Sequence, residues 1–204
     1  MADDFQRPLP LQMRGSKLAR FVFEGLGWRV RFEGLPARQG VLIAYPHTSN
    51  WDFIFLMLAK WSVGLELNFW GKASLFRIPV LGTWLRWVGG IAADRHAPHG
   101  IVGDMVRTML QCKATDTALW LALAPEGTRK WAEGWRTGFY QVALGAQVPL
   151  GICSVDFSGK TVQVLEFIKL TGDVQADMLR IAQALENSNG KNPGQVAPIR
   201  LIER

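Results

Sequence analysis

The run Gly40-Val41-Leu42-Ile43-Ala44-Tyr45-Pro46 gives the first indication of the fold. Its five apolar residues stand between a glycine and a proline, which is the pattern of a short buried strand. A second run of the same kind, Ala118-Leu119-Trp120-Leu121-Ala122-Leu123-Ala124, ends at Pro125. Both runs are followed by polar residues rather than by more core. The sequence therefore predicts two buried strands, each ending in a polar turn.

Further strands and helices alternate around these two runs. The pattern predicts strands at 28–33, 41–45, 66–70, 90–93, 118–124, 148–155 and 161–168. It predicts helices before the first strand, after Asn50, and at 80–88, 100–113, 137–146 and 173–187, and an irregular tail after Gly190. This alternation predicts an α/β fold with a largely parallel sheet flanked by helices. The 204 residues suit a single domain.

The first polar turn is His47-Thr48-Ser49-Asn50-Trp51-Asp52. Ser49 or Asn50 can cap the following helix, which puts Asp52 in its first turn, within reach of His47. A neutral imidazole can remove a proton from an attacking hydroxyl, and a carboxylate on its other nitrogen fixes the tautomer. Such a pair also has a purely structural explanation, because first-turn aspartates complement the helix dipole.

The second polar turn is Pro125-Glu126-Gly127-Thr128-Arg129. Gly127 permits close backbone approach to a ligand, and the Arg129 guanidinium suits phosphate oxygens. The alternative is a plain strand-end turn with a surface Glu/Arg pair. Ligands collect at the carboxyl ends of parallel strands. One crevice is therefore expected to hold both turns.

In this order the two turns resemble the His-x4-Asp and Glu-Gly-Thr-Arg motifs of the glycerolipid acyltransferase family, enzymes that acylate lysophosphatidic acid and related lysolipids. The resemblance spans residues 34–157 and implies helices around a mixed sheet. Two weaker blocks also match: 72–95, opened by Lys72 and closed by Arg95, and Val148-Pro149-Leu150. In the family the first of these blocks lies near the phosphate site.

The resemblance implies a role for each site residue. His47 is the general base and Asp52 orients it. The acceptor's phosphate is expected to be held by three cations, Lys72, Arg95 and Arg129. Glu126 is expected to position the acceptor or Arg129, with Gly127 and Thr128 shaping the turn.

The resemblance also implies the substrates. The donor is a thioester, acyl-CoA or acyl-carrier protein, used as co-substrate with no bound cofactor. The favoured acceptor is 1-acylglycerol-3-phosphate, which gives phosphatidic acid. Two alternatives stay open: acylation of another lysolipid such as a lyso-ornithine lipid, and a noncatalytic protein that binds anionic lipid.

Charge and tryptophan content favour a membrane surface as partner. The net charge is +6 and the chain has nine tryptophans, which suit anionic headgroups and an interface between apolar and wet surroundings. Segment 14–28 has apolar residues at helical spacing with basic residues between them, so it either lies in a membrane surface or packs on the domain. Residues 1–33 are therefore interpreted as an amino-terminal amphipathic helix and first strand with a candidate membrane contact, and 34–204 as the acyltransferase domain.

Other classes of site find no support in the sequence. No apolar stretch reaches about 18 residues, so attachment is expected to be peripheral, on the cytoplasmic face of the bacterial inner membrane. No basic-aromatic motif indicates nucleic acid. Cys112 and Cys153 fit small core residues. His96 and His99 lack further ligands, so no metal site is predicted.

Overall fold

The structure is a computed structural model that describes residues 4–93 and 100–202. Its strands are β1 (Arg29–Arg31), β2 (Gln39–Tyr45), β3 (Asn68–Lys72), β4 (Gly90–Ala93), β5 (Leu119–Leu123), β6 (Leu150–Asp156) and β7 (Thr161–Ile168). Its α-helices are α1 (Lys17–Gly25), α2 (Asn50–Val63), α3 (Ala73–Phe76), α4 (Pro79–Trp87), α5 (Gly100–Ala114), α6 (Gly138–Ala146) and α7 (Val174–Leu185).

All seven strands form one mixed sheet in the order β1-β7-β6-β2-β5-β3-β4. The five strands from β6 to β4 run parallel to one another, and β7 pairs antiparallel with β6. The predicted fold, a mixed and largely parallel sheet flanked by helices, is confirmed. Because β2, β3, β4 and β5 are parallel, their carboxyl ends meet at one edge of the sheet.

Strand β2 lies at the centre of the sheet, and both of its faces are buried. Val41 and Ile43 point into a core made with α5, α6 and α7. Leu42 and Ala44 point into a second core, on the face that α1 and α2 cover. A strand buried on both sides needs a continuous apolar run instead of alternation. This is the reason that residues 41–44 are all apolar.

Helix α1 packs on the domain, which is one of the two alternatives that the sequence left open. Phe23 is fully buried and Trp28, just after the helix, packs on the same core, so the segment is docked on the domain. Three other apolar side chains of the segment, Leu18, Phe21 and Leu26, remain more than half exposed. The amino-terminal segment is therefore packed on one side and exposes both apolar and charged side chains on its outer side.

Two elements depart from the sequence-based expectation. The short helix α3 was not predicted, because four residues carry no helical periodicity. The tail after Gly190 is ordered against the domain, with a 3-10 helix at Pro193–Gln195 and a bridge between Trp135 and Leu201. Arg95, His96 and His99 lie outside the described residues. In the part of the chain that is described, no helix has the length and apolar character needed to span a membrane.

Candidate active site

His47 and Asp52 are in contact at the carboxyl end of β2. Ser49 caps α2, with its side chain accepting a hydrogen bond from Trp51 N, and Asp52 stands in the first turn of the helix. The turn brings His47 Nδ1 to 3.1 Å from Asp52 Oδ2. With Nδ1 turned to the carboxylate, Nε2 is the ring nitrogen left to exchange a proton with a substrate.

The Asp52 carboxylate is held rigidly. Its Oδ2 atom also accepts hydrogen bonds from Thr48 N and Ser49 N, both at 2.7 Å. The residue is 0% exposed, and its other oxygen meets no donor within the described ranges. All its bonds therefore converge on the oxygen that faces His47. The capping of α2 and the orientation of the imidazole thus depend on the same atom.

Glu126 joins the second turn to the first. It is 2% exposed, and its Oε2 accepts a hydrogen bond from His47 N at 2.6 Å. Its Oε1 accepts a longer one from Ala197 N at 3.5 Å. Burial raises the pKa of Glu126 to about 7, against the opposing effect of these two backbone donors. The expectation that one crevice holds both turns agrees with this contact.

The hydrogen-bond partners of Glu126 in the structure are backbone groups. The family resemblance implies that this carboxylate positions the acceptor or Arg129, and that role stays a prediction. In the structure both of its recorded hydrogen bonds go to backbone N–H groups, one of them that of His47. Glu126 therefore holds the histidine loop. Its burial gave no signal in the sequence, where it reads as part of a polar turn.

In the rest of the second turn Gly127 and Arg129 are exposed, Thr128 is half-buried and Pro125 is buried. Gly127 has a φ of +66°, a left-handed conformation that glycine adopts without strain, and a Cβ there would collide with the Arg136 side chain. Thr128 Oγ1 accepts a hydrogen bond from Lys130 N at 3.2 Å. Arg129 is exposed. Arg136, beside Gly127, is a cation at this turn that the sequence analysis did not identify.

Lys72 lies at the same edge of the sheet. It is the last residue of β3, it is exposed, and β3 pairs with β5, the strand that leads to Glu126. The structure thus places Lys72 and Arg129 on the same edge, while Arg95 lies outside the described residues. Among residues 4–93 and 100–202, no group of three or more His, Cys, Asp and Glu side chains could hold a metal ion.

Comparisons with known proteins identify a family and a similar fold. The family model described as Acyltransferase matches residues 28–155. The fold is similar to the crystal structure of the 1-acyl-sn-glycerophosphate (LPA) acyltransferase PlsC from Thermotoga maritima. The TM-score is 0.55 at 18% identity, over 83% of this chain and 73% of that one. At such identity the likeness concerns the fold alone. A comparison with curated protein sequences gives no match.

Proposed function

The chain belongs to the acyltransferase family, and we propose that it moves a fatty acyl group from a thioester donor to the hydroxyl of a lysophospholipid. The favoured acceptor is 1-acylglycerol-3-phosphate and the product phosphatidic acid. The observation that carries the proposal is the contact between His47 Nδ1 and Asp52 Oδ2 at the carboxyl edge of a parallel sheet.

The proposed reaction uses His47 as the general base. Its Nε2 takes the proton of the acceptor hydroxyl as the oxygen attacks the thioester carbonyl carbon. The Asp52 carboxylate stabilises the imidazolium that forms. Collapse of the tetrahedral intermediate breaks the carbon–sulfur bond, and the imidazolium returns its proton to the leaving thiolate. The acceptor attacks directly, so no enzyme nucleophile is needed.

Cations on the sheet edge support a phosphorylated acceptor. Arg129 and Lys72 are exposed at the ends of neighbouring strands. A guanidinium binds phosphate oxygens in pairs and an ammonium binds them as a point charge. We propose that both bind the acceptor's phosphate together with Arg95. Arg136, which packs against Gly127, adds a further cation to the same turn.

Exposed apolar side chains support a membrane as the source of the acceptor. On α4, Val80 is 85% and Trp87 75% exposed, and on α1 Leu18 is 72% exposed. Basic residues accompany them: Lys17 and Arg20 lie on α1, Arg86 lies on α4, and Arg77 lies just before α4. Apolar insertion combined with basic side chains favours peripheral attachment to an anionic surface. We propose such attachment on the cytoplasmic face of the bacterial inner membrane.

The test is an assay of the purified protein on a panel of lysolipids. Each acceptor is offered with acyl-CoA and with acyl-carrier protein, and products are identified by mass spectrometry, with His47→Ala as the control. We expect phosphatidic acid from wild type only. Transfer to a lysolipid without phosphate, such as a lyso-ornithine lipid, would mean that this lipid, and not 1-acylglycerol-3-phosphate, is the acceptor. Lipid binding with no transfer from either donor would favour the noncatalytic alternative.

A further inference from the structure

The segment 190–197, called the strap here, crosses both motif turns. It lies outside the region 28–155 that the family model matches. Gly190 is buried against the first turn so closely that a Cβ would stand 2.9 Å from Thr48 side-chain atoms. Lys191 Nζ lies 4.9 Å from the centre of the Trp51 ring. The strap thus contacts the first turn at two residues between His47 and Asp52.

Asn192 makes the closest polar contacts between the strap and the histidine loop. Its backbone N donates to Thr48 Oγ1 at 3.1 Å, and its side-chain Nδ2 donates to Thr48 O at 2.8 Å. Gln195 can donate to the same Thr48 O and to Arg129 O when its side-chain amide is turned so that the nitrogen faces the loop. Thr48 is only 2% exposed. The hydrogen-bond partners of its hydroxyl and carbonyl oxygens therefore come from the strap and not from water.

The strap also reaches the second turn and the end of β2. Ala197 N donates to Glu126 Oε1 at 3.5 Å, and Ala197 O accepts a hydrogen bond from Tyr45 OH at 3.0 Å. Glu126 in turn accepts from His47 N. The strap therefore contacts Glu126, which bonds to the His47 backbone, as well as Thr48, the residue next to His47.

These contacts matter because of what Thr48 does. Its N–H is one of the two backbone donors to Asp52 Oδ2, the oxygen that faces His47. A shift of Thr48 would therefore move Asp52 relative to the imidazole. Displacing reacting groups by about 1 Å can cost roughly 10²-fold in rate.

We propose that Asn192 is a positioning residue, and that the strap fixes the His47–Asp52 geometry used for acyl transfer. The inference rests on the proposed function for its kinetic consequence. It predicts a loss confined to the chemical step, because both hydrogen bonds from Asn192 to the loop go to Thr48, one to its hydroxyl and one to its backbone carbonyl, and neither goes to a cation of the site.

The test is Asn192→Asp, which keeps the side-chain shape but replaces the amide donor by an acceptor facing Thr48 O. We expect kcat to fall about 10- to 100-fold, the range expected for a misplaced dyad. The KM values for donor and acceptor should change less than about twofold, since ground-state binding is untouched. Asn187→Asp is the matched control. Asn187 is exposed and, within the described residues, its side-chain amide bonds only to Glu186, so wild-type kcat is expected.

Hydrogen exchange gives a second readout that does not depend on turnover. The amides of His47, Thr48 and Ser49 donate to buried carboxylates and should exchange faster in Asn192→Asp, while those of β6 stay unchanged. Wild-type kcat or unchanged loop exchange in Asn192→Asp would overturn the inference. So would faster exchange throughout the sheet, which would mark a merely structural role. A wild type that transfers no acyl group would refute the proposed function, and loop exchange would still decide whether the strap holds the loop.

Discussion

Glu126 Oε2 accepts a hydrogen bond of 2.6 Å from the backbone N–H of His47. The two residues are far apart in sequence, and each follows a different strand of the parallel sheet. Their contact makes the two turns a single unit, in which a carboxylate buried beneath the loop fixes the backbone of the proposed base. Asp52 fixes the imidazole of the same residue. His47 is thus held by two carboxylates, one through its main chain and one through its ring.

Glu126 should make folding stability depend on pH. Its pKa is raised in the folded protein from 4.5 to about 7. Between these values the folded state binds more protons than the unfolded chain, so stability falls as pH rises through this window and levels off above it. Glu126→Gln removes the titration. The unfolding free energy of wild type minus that of the variant should decline between about pH 4.5 and 7.

Urea unfolding of both proteins across this pH range provides the measurement. Other titrating groups contribute to both proteins and cancel in the difference. Glu133→Gln is the control, because Glu133 is an exposed glutamate close to the same turn. A difference that rises with pH would mean that the folded protein favours the ionised carboxylate.

The dyad gives a second prediction. His47→Ala should lower kcat by roughly 10²–10⁴, the usual contribution of a general base. The fold should persist, because the His47 side chain lies at the surface edge of the site, 20% exposed. Turnover by mass spectrometry and circular dichroism together check this. A folded His47→Ala protein with wild-type turnover would refute the mechanism.

Asp52→Asn should be severely impaired for a different reason. An amide in place of the carboxylate can hold the imidazole in the wrong tautomer, which in a comparable triad costs about 10⁴ in kcat. Asp52 Oδ2 also accepts from Thr48 N and Ser49 N, so some stability should be lost too. Thermal unfolding separates the two effects. If activity falls only as far as the folded fraction falls, orientation of His47 is not the cause.

The order and type of most elements and the first motif could be predicted because they depend on local patterns, although bounds shifted by a few residues, as in β3 at Asn68–Lys72 against the predicted 66–70. Apolar runs bounded by glycine or proline located the strands, and Ser49 with Asp52 marked the start of α2. The strap could not be predicted, because its order depends on hydrogen bonds between Asn192 and Thr48, 144 positions apart. The burial of Glu126 is equally non-local, since Ala197 and His47 create it. Local periodicity carries no record of such contacts.

Arg129 should act on the acceptor. Arg129→Ala is expected to raise the acceptor's KM much more than the donor's, because an exposed guanidinium at the turn suits phosphate oxygens. Arg129→Lys should bring the acceptor's KM only part of the way back to the wild-type value, since an ammonium lacks the bidentate fork. Arg136→Ala tests the neighbouring cation in the same assay. A changed donor KM with a constant acceptor KM would move Arg129 to the donor side.

Membrane binding should depend on the exposed apolar residues of α1 and α4. Truncation of residues 1–28 is a poor test, because Phe23 and Trp28 are buried and their loss would damage the core. Single substitutions are cleaner. Leu18→Ser and Val80→Ser should each weaken binding to anionic vesicles. Leu179→Ser is the matched control, an apolar side chain of α7 that is 60% exposed.

Salt separates the two contributions to this binding. Each basic side chain near an anionic surface contributes about 1 kcal/mol, and salt screens that contribution. Insertion of apolar side chains is not screened in the same way. Vesicle sedimentation should therefore show binding that weakens but persists as salt rises, and the persisting part should shrink in Leu18→Ser and Val80→Ser but not in Leu179→Ser. Equal losses in all three variants would mean nonspecific adhesion. If the protein does not bind anionic vesicles even at low salt, the membrane proposal is refuted and a soluble acceptor is favoured.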